Sequence, residues 1–411
     1  MTYRDYDPDK DLPAVRRIWK EVGWIRDEET DGTYLDSFFR GANDALVATI
    51  DGEPECAVHS THGEILYLDE PLGLGGVTAV TTSRISRKLG FAKELTAQLL
   101  ARQAEAGMEV SALGMFEQGF YNKLGFGTGA YENWIRFDPA TLTVDNDFRP
   151  PRRLRQRDYE QVHTALCNRK RGHGGVTLSM PEMLRLEMGL TPEPFGLGYF
   201  DGPGGTLSHF IWGVANGEHG PYVIKFSAWQ SAEQLLELLA LIKSLGDQVN
   251  QVSMLENHEI QLQDLLKQPF RNRRSTRGSE FVNESRSVAF WQIRMLDIEA
   301  CIAKTHLNTP TVKFNLELSD PVADFLDSGS NWHGLAGDYV IALGAQSSAK
   351  TGNDKSLPTL RASVGAFSRL WFGIRPASSL AITDNLQGDA ALIDDLDATL
   401  RLPKPHPGWE F

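Results

Sequence analysis

The chain has 411 residues, 41% hydrophobic and 23% charged, with a formal net charge of −13. At roughly 100–200 residues per domain, that length suggests about two to four domains. The composition excludes a disordered or fibrous protein, and the acidic balance argues against nucleic acid as a partner.

Asp11 is a candidate helix cap, followed by Pro13 and by Leu12, Val15, Ile18, Trp19 and Val22 at helical spacing. Residues 45–50 and 55–59 read as strands joined by the Asp51-Gly52 turn, and 63–68 and 75–82 as two further strands. Residues 88–106 carry a helical pattern that Gly107 ends. A strand at 110–115, a short helix at 119–124 and a closing strand at 131–137 complete a mixed sheet flanked by helices. A charged, proline-containing stretch, Arg149-Pro150-Pro151-Arg152-Arg153, reads as a linker. Beyond it, a helix after Asp158, strands at 196–200, 207–214 and 222–229, a helix at 232–245 and a strand near 251–256 loosely repeat the first order. The last segment opens near Trp291, with helices at 298–304, 364–372 and 389–398 and strands at 312–318 and 339–344. It ends in a tail with three prolines after Leu402 and two aromatics, Trp409 and Phe411. The fold class is α+β, a mixed α/β chain.

Cys56, Cys167 and Cys301 are far apart and form no CxxC pair. Neither a disulfide framework nor a metal site is expected. The opening Met-Thr-Tyr-Arg-Asp-Tyr is polar, unlike a signal peptide, and no run of about 18 apolar residues marks a membrane span. A cytoplasmic protein with no membrane partner is expected.

One stretch carries a recognisable chemistry. A strand, Val77 to Thr82, runs into Ser83-Arg84-Ile85-Ser86-Arg87-Lys88-Leu89-Gly90-Phe91-Ala92 and then a long helix. N–H groups at a helix start bind anions. Gly90 permits close backbone approach, Ala92 keeps the opening free of bulk, and Arg87 and Lys88 add positive charge for a pyrophosphate. The chain holds a second R-x-x-G pattern, Arg169-Lys170-Arg171-Gly172-His173-Gly174. It follows a helix rather than a strand and reads as an exposed basic loop.

The first loop resembles the acetyl-CoA loop of the GNAT N-acetyltransferases, and Phe120-Tyr121-Asn122-Lys123-Leu124-Gly125-Phe126 is similar to that family's FYxKLGF segment. The whole chain resembles the enhanced-intracellular-survival type. Its Trp291–Asp297 stretch, Ser368-Arg369-Leu370-Trp371-Phe372-Gly373 and closing Glu410-Phe411 fit that group's pattern. The resemblance implies two tandem GNAT-like domains, a catalytic one at 1–148 and one at 149–290 without an acetyl-CoA loop. It also implies a sterol-carrier-protein-like domain at 291–411 and a homo-oligomer, a hexamer in the resembling group. Acetyl-CoA is the implied co-substrate, and the acceptor is a small-molecule amine or lysine side chain, polyamine-like or aminoglycoside-like.

By the same resemblance, backbone N–H groups around Val80 and Thr82 face the thioester and pantetheine, in the manner of an oxyanion hole. Tyr121 protonates the leaving thiolate, since a phenol with a reference pKa of about 10 stays protonated beside a thiol of about 8.5. The α-carboxylate of Phe411 receives the amine proton, and Glu410 adds negative charge for a cationic substrate. Should the carboxylate fail, His59, His62 and Glu64 are the remaining candidate bases. Two positions depart from the family: Arg84 replaces a frequent proline, and Phe116 replaces a small polar residue near the acetyl group. The rival reading is an inactive scaffold that binds lipid through its C-terminal domain. Trp332, Phe367, Trp371 and Phe372 argue against it, as side chains able to fill the cavity.

Overall fold

A computed structural model describes residues 2–409 apart from 27, 271, 277, 278 and 328, with the side chains at 28–31, 272–276, 279 and 280 left out. The chain divides into two compact units. Residues 1–130, 172–180 and 289–411 form the first, and residues 131–171 and 181–288 the second.

The first unit opens with β1 (Thr2–Asp5), α1 (Pro8–Glu21), α2 (Glu28–Arg40), β2 (Asp44–Ile50), β3 (Glu53–Tyr67), β4 (Glu70–Thr82), α3 (Phe91–Glu105), β5 (Val110–Gly114) and β6 (Gly127–Thr128). The stretches 55–59 and 63–68, expected as separate strands, are parts of the single long β3. The cap of α1 is Asp7, whose carboxylate accepts from the Asp9 N–H at 3.1 Å. Asp11, the expected cap, lies inside the helix, buried and held by both terminal nitrogens of Arg4. An isolated carboxylate is too costly to bury, so a charge partner fixes its place.

The sheet runs β1-β2-β3-β4-β5, then the strand Trp291–Met295, then β6, with Val176–Leu178 on β3. Only β4 and β5 pair in parallel. The buried row Phe91, Leu95, Leu99 and Leu100 of α3 packs on Leu46, Val58, Val77 and Leu113 of the sheet. Burying such a row is the main stabilising contribution, about 1.5–3 kcal/mol per large apolar side chain.

The expected closing strand is not β7 (Glu132–Phe137), which belongs to the second unit. Its place is taken by Trp291–Met295, from about 160 residues later in the chain. All five of its residues are buried, as fits a strand with neighbours on both edges and cover on both faces. Trp291 pairs with Gly114 and Met295 with Val110, while Gln292 and Ile293 pair with Thr128 and Gly127.

The rest of the C-terminal segment adds a second sheet to the first unit, ordered Ser348–Thr351, Gly337–Leu343, Val312–Ser319, Thr359–Ser363, Leu386–Gln387. Phe367, Trp371 and Phe372 are no more than 1% exposed. Trp371 stacks on Tyr67 of β3 at 4.5 Å, and its indole N–H donates to Thr305 Oγ1 at 2.8 Å. These aromatics are core, not the wall of a cavity.

The second unit holds a sheet ordered Glu284–Val288, β7, Val252–Leu255, Tyr222–Ala228, His209–Ala215, Pro194–Tyr199, Arg152–Arg153. Tyr222–Ala228 and Val252–Leu255 pair in parallel across the helix Ala232–Ser244, the same arrangement as β4, α3 and β5. The connection into that helix is Trp229-Gln230-Ser231, with Ser231 as its cap. The connection itself contains no glycine, Lys or Arg, although the Lys170 ammonium lies over the Trp229 ring, 5.6 Å from its centre.

Candidate active site

The two central strands of the first unit part company. β4 and β5 pair from Leu74 with Val110 to Val77 with Leu113, but β4 continues along β3 to Thr82, which pairs with Cys56. The register slips between the pairs His59–Thr78 and Ala57–Thr81, and Ala79 takes a left-handed φ of 53° in the bulge. A bulge bends its strand and turns local backbone groups out of the ladder. Among the described residues, the Thr78–Thr82 stretch therefore has β3 on one edge and no strand on the other. Val80 and Thr82 lie on it, both half-buried.

The chain then enters the basic loop. Gly90 has φ 94° and caps α3 without a side chain, and Lys88 has φ 66°. A non-glycine residue in the left-handed region is strained. Alternation of this kind gathers successive N–H groups into an anion-binding concavity. Arg87 and Lys88 are exposed, and neither has an ion pair among the described residues. Ala92 is half-buried in the first turn. The carboxylate of Glu94, one turn in, accepts from the Tyr3 hydroxyl.

Arg84 explains itself here. Its backbone N–H donates to Glu21 Oε2 at 2.9 Å, and its guanidinium donates to the Glu21 carbonyl at 3.4 Å. Proline has no N–H and could not make the first bond. Ser83 N–H and Ser86 Oγ both donate to the Glu55 carbonyl, at 2.8 and 2.7 Å. The loop is thus fastened at its strand end and free at its basic end. If this loop is the phosphate site that the resemblance implies, Arg87→Ala with Lys88→Ala should weaken acyl-CoA binding at least about tenfold, since charge-assisted hydrogen bonds contribute roughly 1.5–3 kcal/mol each. An unchanged dissociation constant by calorimetry would remove the loop from the binding site.

Tyr121 begins a 3-10 turn, Tyr121–Leu124, and is only 2% exposed. It belongs to the same packed cluster as Val58, Val77, Val80, Phe91 and Leu113, which places it behind the parting of β4 and β5. Burial, and secondarily the nearby Cys56 thiol, push its phenol above the ordinary value, so the hydroxyl stays protonated at neutral pH. Cys56 Sγ lies 3.5 Å from Thr82 Oγ1. Burial pushes that thiol up to about 12, so it is no nucleophile at neutral pH.

The inserted strand holds the turn from below. Arg294 donates to the Leu124 carbonyl, and its guanidinium meets Asp320 Oδ2 at 2.6 Å with both side chains 0% exposed. Asp320 also accepts from the N–H groups of Val322 and Leu335, at 3.2 and 2.9 Å. Gln292 donates to Asn122 Oδ1 at 2.8 Å. Gly125, with φ 80°, closes the turn where a Cβ would stand 2.7 Å from Arg294 Nη1 and 2.5 Å from Val364. Glu21 and the Ala79 bulge carry no sequence signal, while Gln292 and Arg294 fall in the Trp291–Asp297 stretch, which reads in the sequence only as the entry to the last segment.

The other candidates fall elsewhere. His59 is fully buried, stacked on Phe38 at 4.1 Å and bonded to its carbonyl at 3.2 Å. Burial pushes it down to about 3, which leaves a neutral core histidine. His62 is half-buried and also pushed down by burial. Glu64 is exposed and pairs with Thr177. The second basic loop is not simply exposed. His173 is 3% exposed, accepts from the Leu68 N–H at 2.9 Å and bonds the Phe372 carbonyl at 3.1 Å. Glu410 and Phe411 lie outside the described residues.

In the second unit, Asp201, His209 and Glu237 converge within 4.8 Å, as metal ligands would. Arg149 already stands among them, 2.7 Å from Asp201 and 2.8 Å from Glu237, and holds Glu237 down at about 2. The guanidinium is the cation of that cluster.

Among curated proteins none matches the chain. Three solved structures share its fold over its whole length. A protein of Enterococcus faecalis V583 described as a probable N-acyltransferase is 15% identical with a TM-score of 0.79, covering 100% of this chain and 99% of its own. Eis1 from Mycobacterium abscessus is 14% identical with a TM-score of 0.75, covering 100% of both chains. A GCN5-related N-acetyltransferase from Kribbella flavida is 17% identical with a TM-score of 0.73, covering 100% of this chain and 98% of its own. The family described as acetyltransferase (GNAT) domain matches residues 2–129, the stretch that holds the strand parting, the basic loop and Tyr121. The chain carries a GNAT acetyltransferase domain at residues 2–129, the mark of an acyl-CoA-dependent acetyltransferase.

Proposed function

We propose that the chain moves an acetyl group from acetyl-CoA to the primary amine of a cationic small molecule or a lysine side chain, polyamine-like or aminoglycoside-like. The observation that carries this reading is a buried, protonated Tyr121 behind an unpaired strand edge that leads into a glycine-capped basic loop. Bound acetyl-CoA supplies the activated acetyl group. Arg87, Lys88 and the N–H groups at the start of α3 hold its phosphates, with Gly90 and Ala92 leaving room. The backbone at Val80 and Thr82 orients the thioester and takes up charge on its oxygen. Tyr121 hands its proton to the departing thiolate.

For the amine proton, the proposal is the α-carboxylate of Phe411, with Glu410 drawing in a cationic acceptor. Its support is a tail fastened as far as Trp409. The His406 N–H donates to the His173 carbonyl and the Val176 N–H to the Pro407 carbonyl, each at 3.0 Å, and Trp409 is 8% exposed. The wider resemblance is proposed with it: tandem GNAT-like domains, a sterol-carrier-protein-like domain in the C-terminal segment, a homo-oligomer, and a cytoplasmic location, with the expected bounds 1–148, 149–290 and 291–411 redrawn because residues 131–171 belong to the second unit and 289–411 to the first. The parallel strand pair in each unit supports the tandem arrangement. No helix among the described residues is long and apolar enough to cross a membrane.

The test is thiol release from acetyl-CoA with spermidine, an aminoglycoside, a lysine peptide and an arylalkylamine as acceptors. Amine-dependent release is expected. Tight acetyl-CoA binding with no release in the presence of any amine would favour an inactive binding scaffold instead.

A further inference from the structure

Phe116 follows the end of β5 and is 73% exposed. It is not an isolated surface apolar residue. Its ring lies 5.7 Å from Phe120 and 5.9 Å from Tyr121, and Phe120 lies 4.9 Å from Tyr121 with the planes at 89°. Beside it, the Met115 N–H donates to the Phe290 carbonyl at 2.7 Å, and Phe290 is 44% exposed. Aromatic side chains, with Phe116 the most open of them, therefore gather beside the Tyr121 ring. Contiguous exposed apolar surface marks a contact site, and this patch adjoins Tyr121, the residue proposed as the acid.

Two ligand parts could meet it, the acyl chain or the acceptor. An acyl chain longer than acetyl needs room behind the thioester. On the core side of Tyr121, Val77, Phe91, Leu113 and Phe126 pack in one cluster, each no more than 2% exposed, and leave little such room. The acceptor arrives from outside, where Phe116 stands. From Gly114 to Leu124 the chain offers one acid, Glu117, and one base, Lys123, so this segment adds little attraction for a polyvalent cation beyond the Glu410 and Phe411 carboxylates proposed above. Exposed aromatic rings suit a flat apolar partner, through edge-to-face or offset stacking.

From this rim we infer that the preferred acceptor is a primary amine on an aryl-alkyl skeleton, with Phe116 as the residue that sets the preference. The inference rests on the amine-transfer reading above and narrows its acceptor.

The test compares kcat/KM for phenethylamine and for spermidine, in the wild-type protein, in Phe116→Ser and in Phe116→Trp, each with acetyl-CoA and with butyryl-CoA. The wild-type protein should favour phenethylamine. Phe116→Ser should lower the phenethylamine-to-spermidine ratio about tenfold, the scale expected when an aryl group no longer has a ring to pack on, and Phe116→Trp should keep the preference. Relative use of the two acyl donors should not change. The inference is overturned if Phe116→Ser leaves the amine ratio alone, if it alters the acyl-length preference instead, or if the wild-type protein acetylates spermidine and not phenethylamine. In those cases amine transfer itself still stands. Transfer to neither amine, nor to any other in the wider panel, would remove both readings.

Discussion

Replacing Tyr121 with Phe should lower the single-turnover rate of acetyl transfer by about 10²–10⁴-fold, the usual contribution of a positioned general acid, while acetyl-CoA binds as before. The separation follows from where the side chain sits. Its ring is part of the core cluster, and Phe fills almost the same volume, so packing survives. Only the hydroxyl is removed, and with it the proton proposed for the thiolate. Because burial raises the phenol's pKa, the wild-type protein should show no loss of acid function anywhere between pH 6 and pH 9. The measurement is rapid-quench transfer at saturating acetyl-CoA, with the dissociation constant measured separately. A wild-type rate in Tyr121→Phe would reduce the residue to a packing role.

The second large effect concerns stability. Arg294→Met should cost about 3–5 kcal/mol, the penalty for leaving one member of a buried ion pair without its partner. Asp320 would keep its bonds from the Val322 and Leu335 N–H groups, but these do not offset a full buried charge. Adding Asp320→Asn to Arg294→Met should recover part of the loss, because the unpaired buried charge is removed, although Val322 and Leu335 donate to different oxygens and the amide keeps only one of the two as an acceptor. Urea unfolding of the single and double variants measures both numbers. A loss below about 1 kcal/mol in Arg294→Met would mean that solvent reaches the pair and screens it. Because Arg294 also holds the Leu124 carbonyl, a surviving single variant should show a loosened Tyr121 turn.

Local features of the site were legible in the sequence. The glycine and cations of the loop lie in one short run, and Gly90 does cap α3. Tyr121 is in a recognisable segment, and its turn falls where a short helix was expected, though wound as 3-10. Most strands and helices of the second unit and of the C-terminal segment appear within a few residues of their expected places. What escaped depends on partners far away in the chain. The alternation at 131–137 reads as a strand in either sheet, and nothing within it says that Trp291–Met295 will displace it. Arg294 looks like a solvated charge until Asp320 is beside it. Ala79 carries no sign of its left-handed backbone, which arises from the register between β3 and β4. Cap choice failed for a related reason: Asp7 and Asp11 are both plausible caps, and only Arg4 distinguishes them.

The inserted strand also has a consequence for how the protein is made. On the ribosome, residues 1–130 emerge without the strand that belongs between β5 and β6. Until Met295 is out, β5 presents a bare edge, and Asn122, Leu124 and Thr128 wait for the groups that bond them. At about 5–20 residues per second, that interval is roughly 10–30 s, long against the milliseconds in which a small domain closes its core. An open edge of this kind is the usual starting point for wrong pairings between chains. Helper proteins or slow expression should thus matter more to the yield of this acetyltransferase than its final stability does.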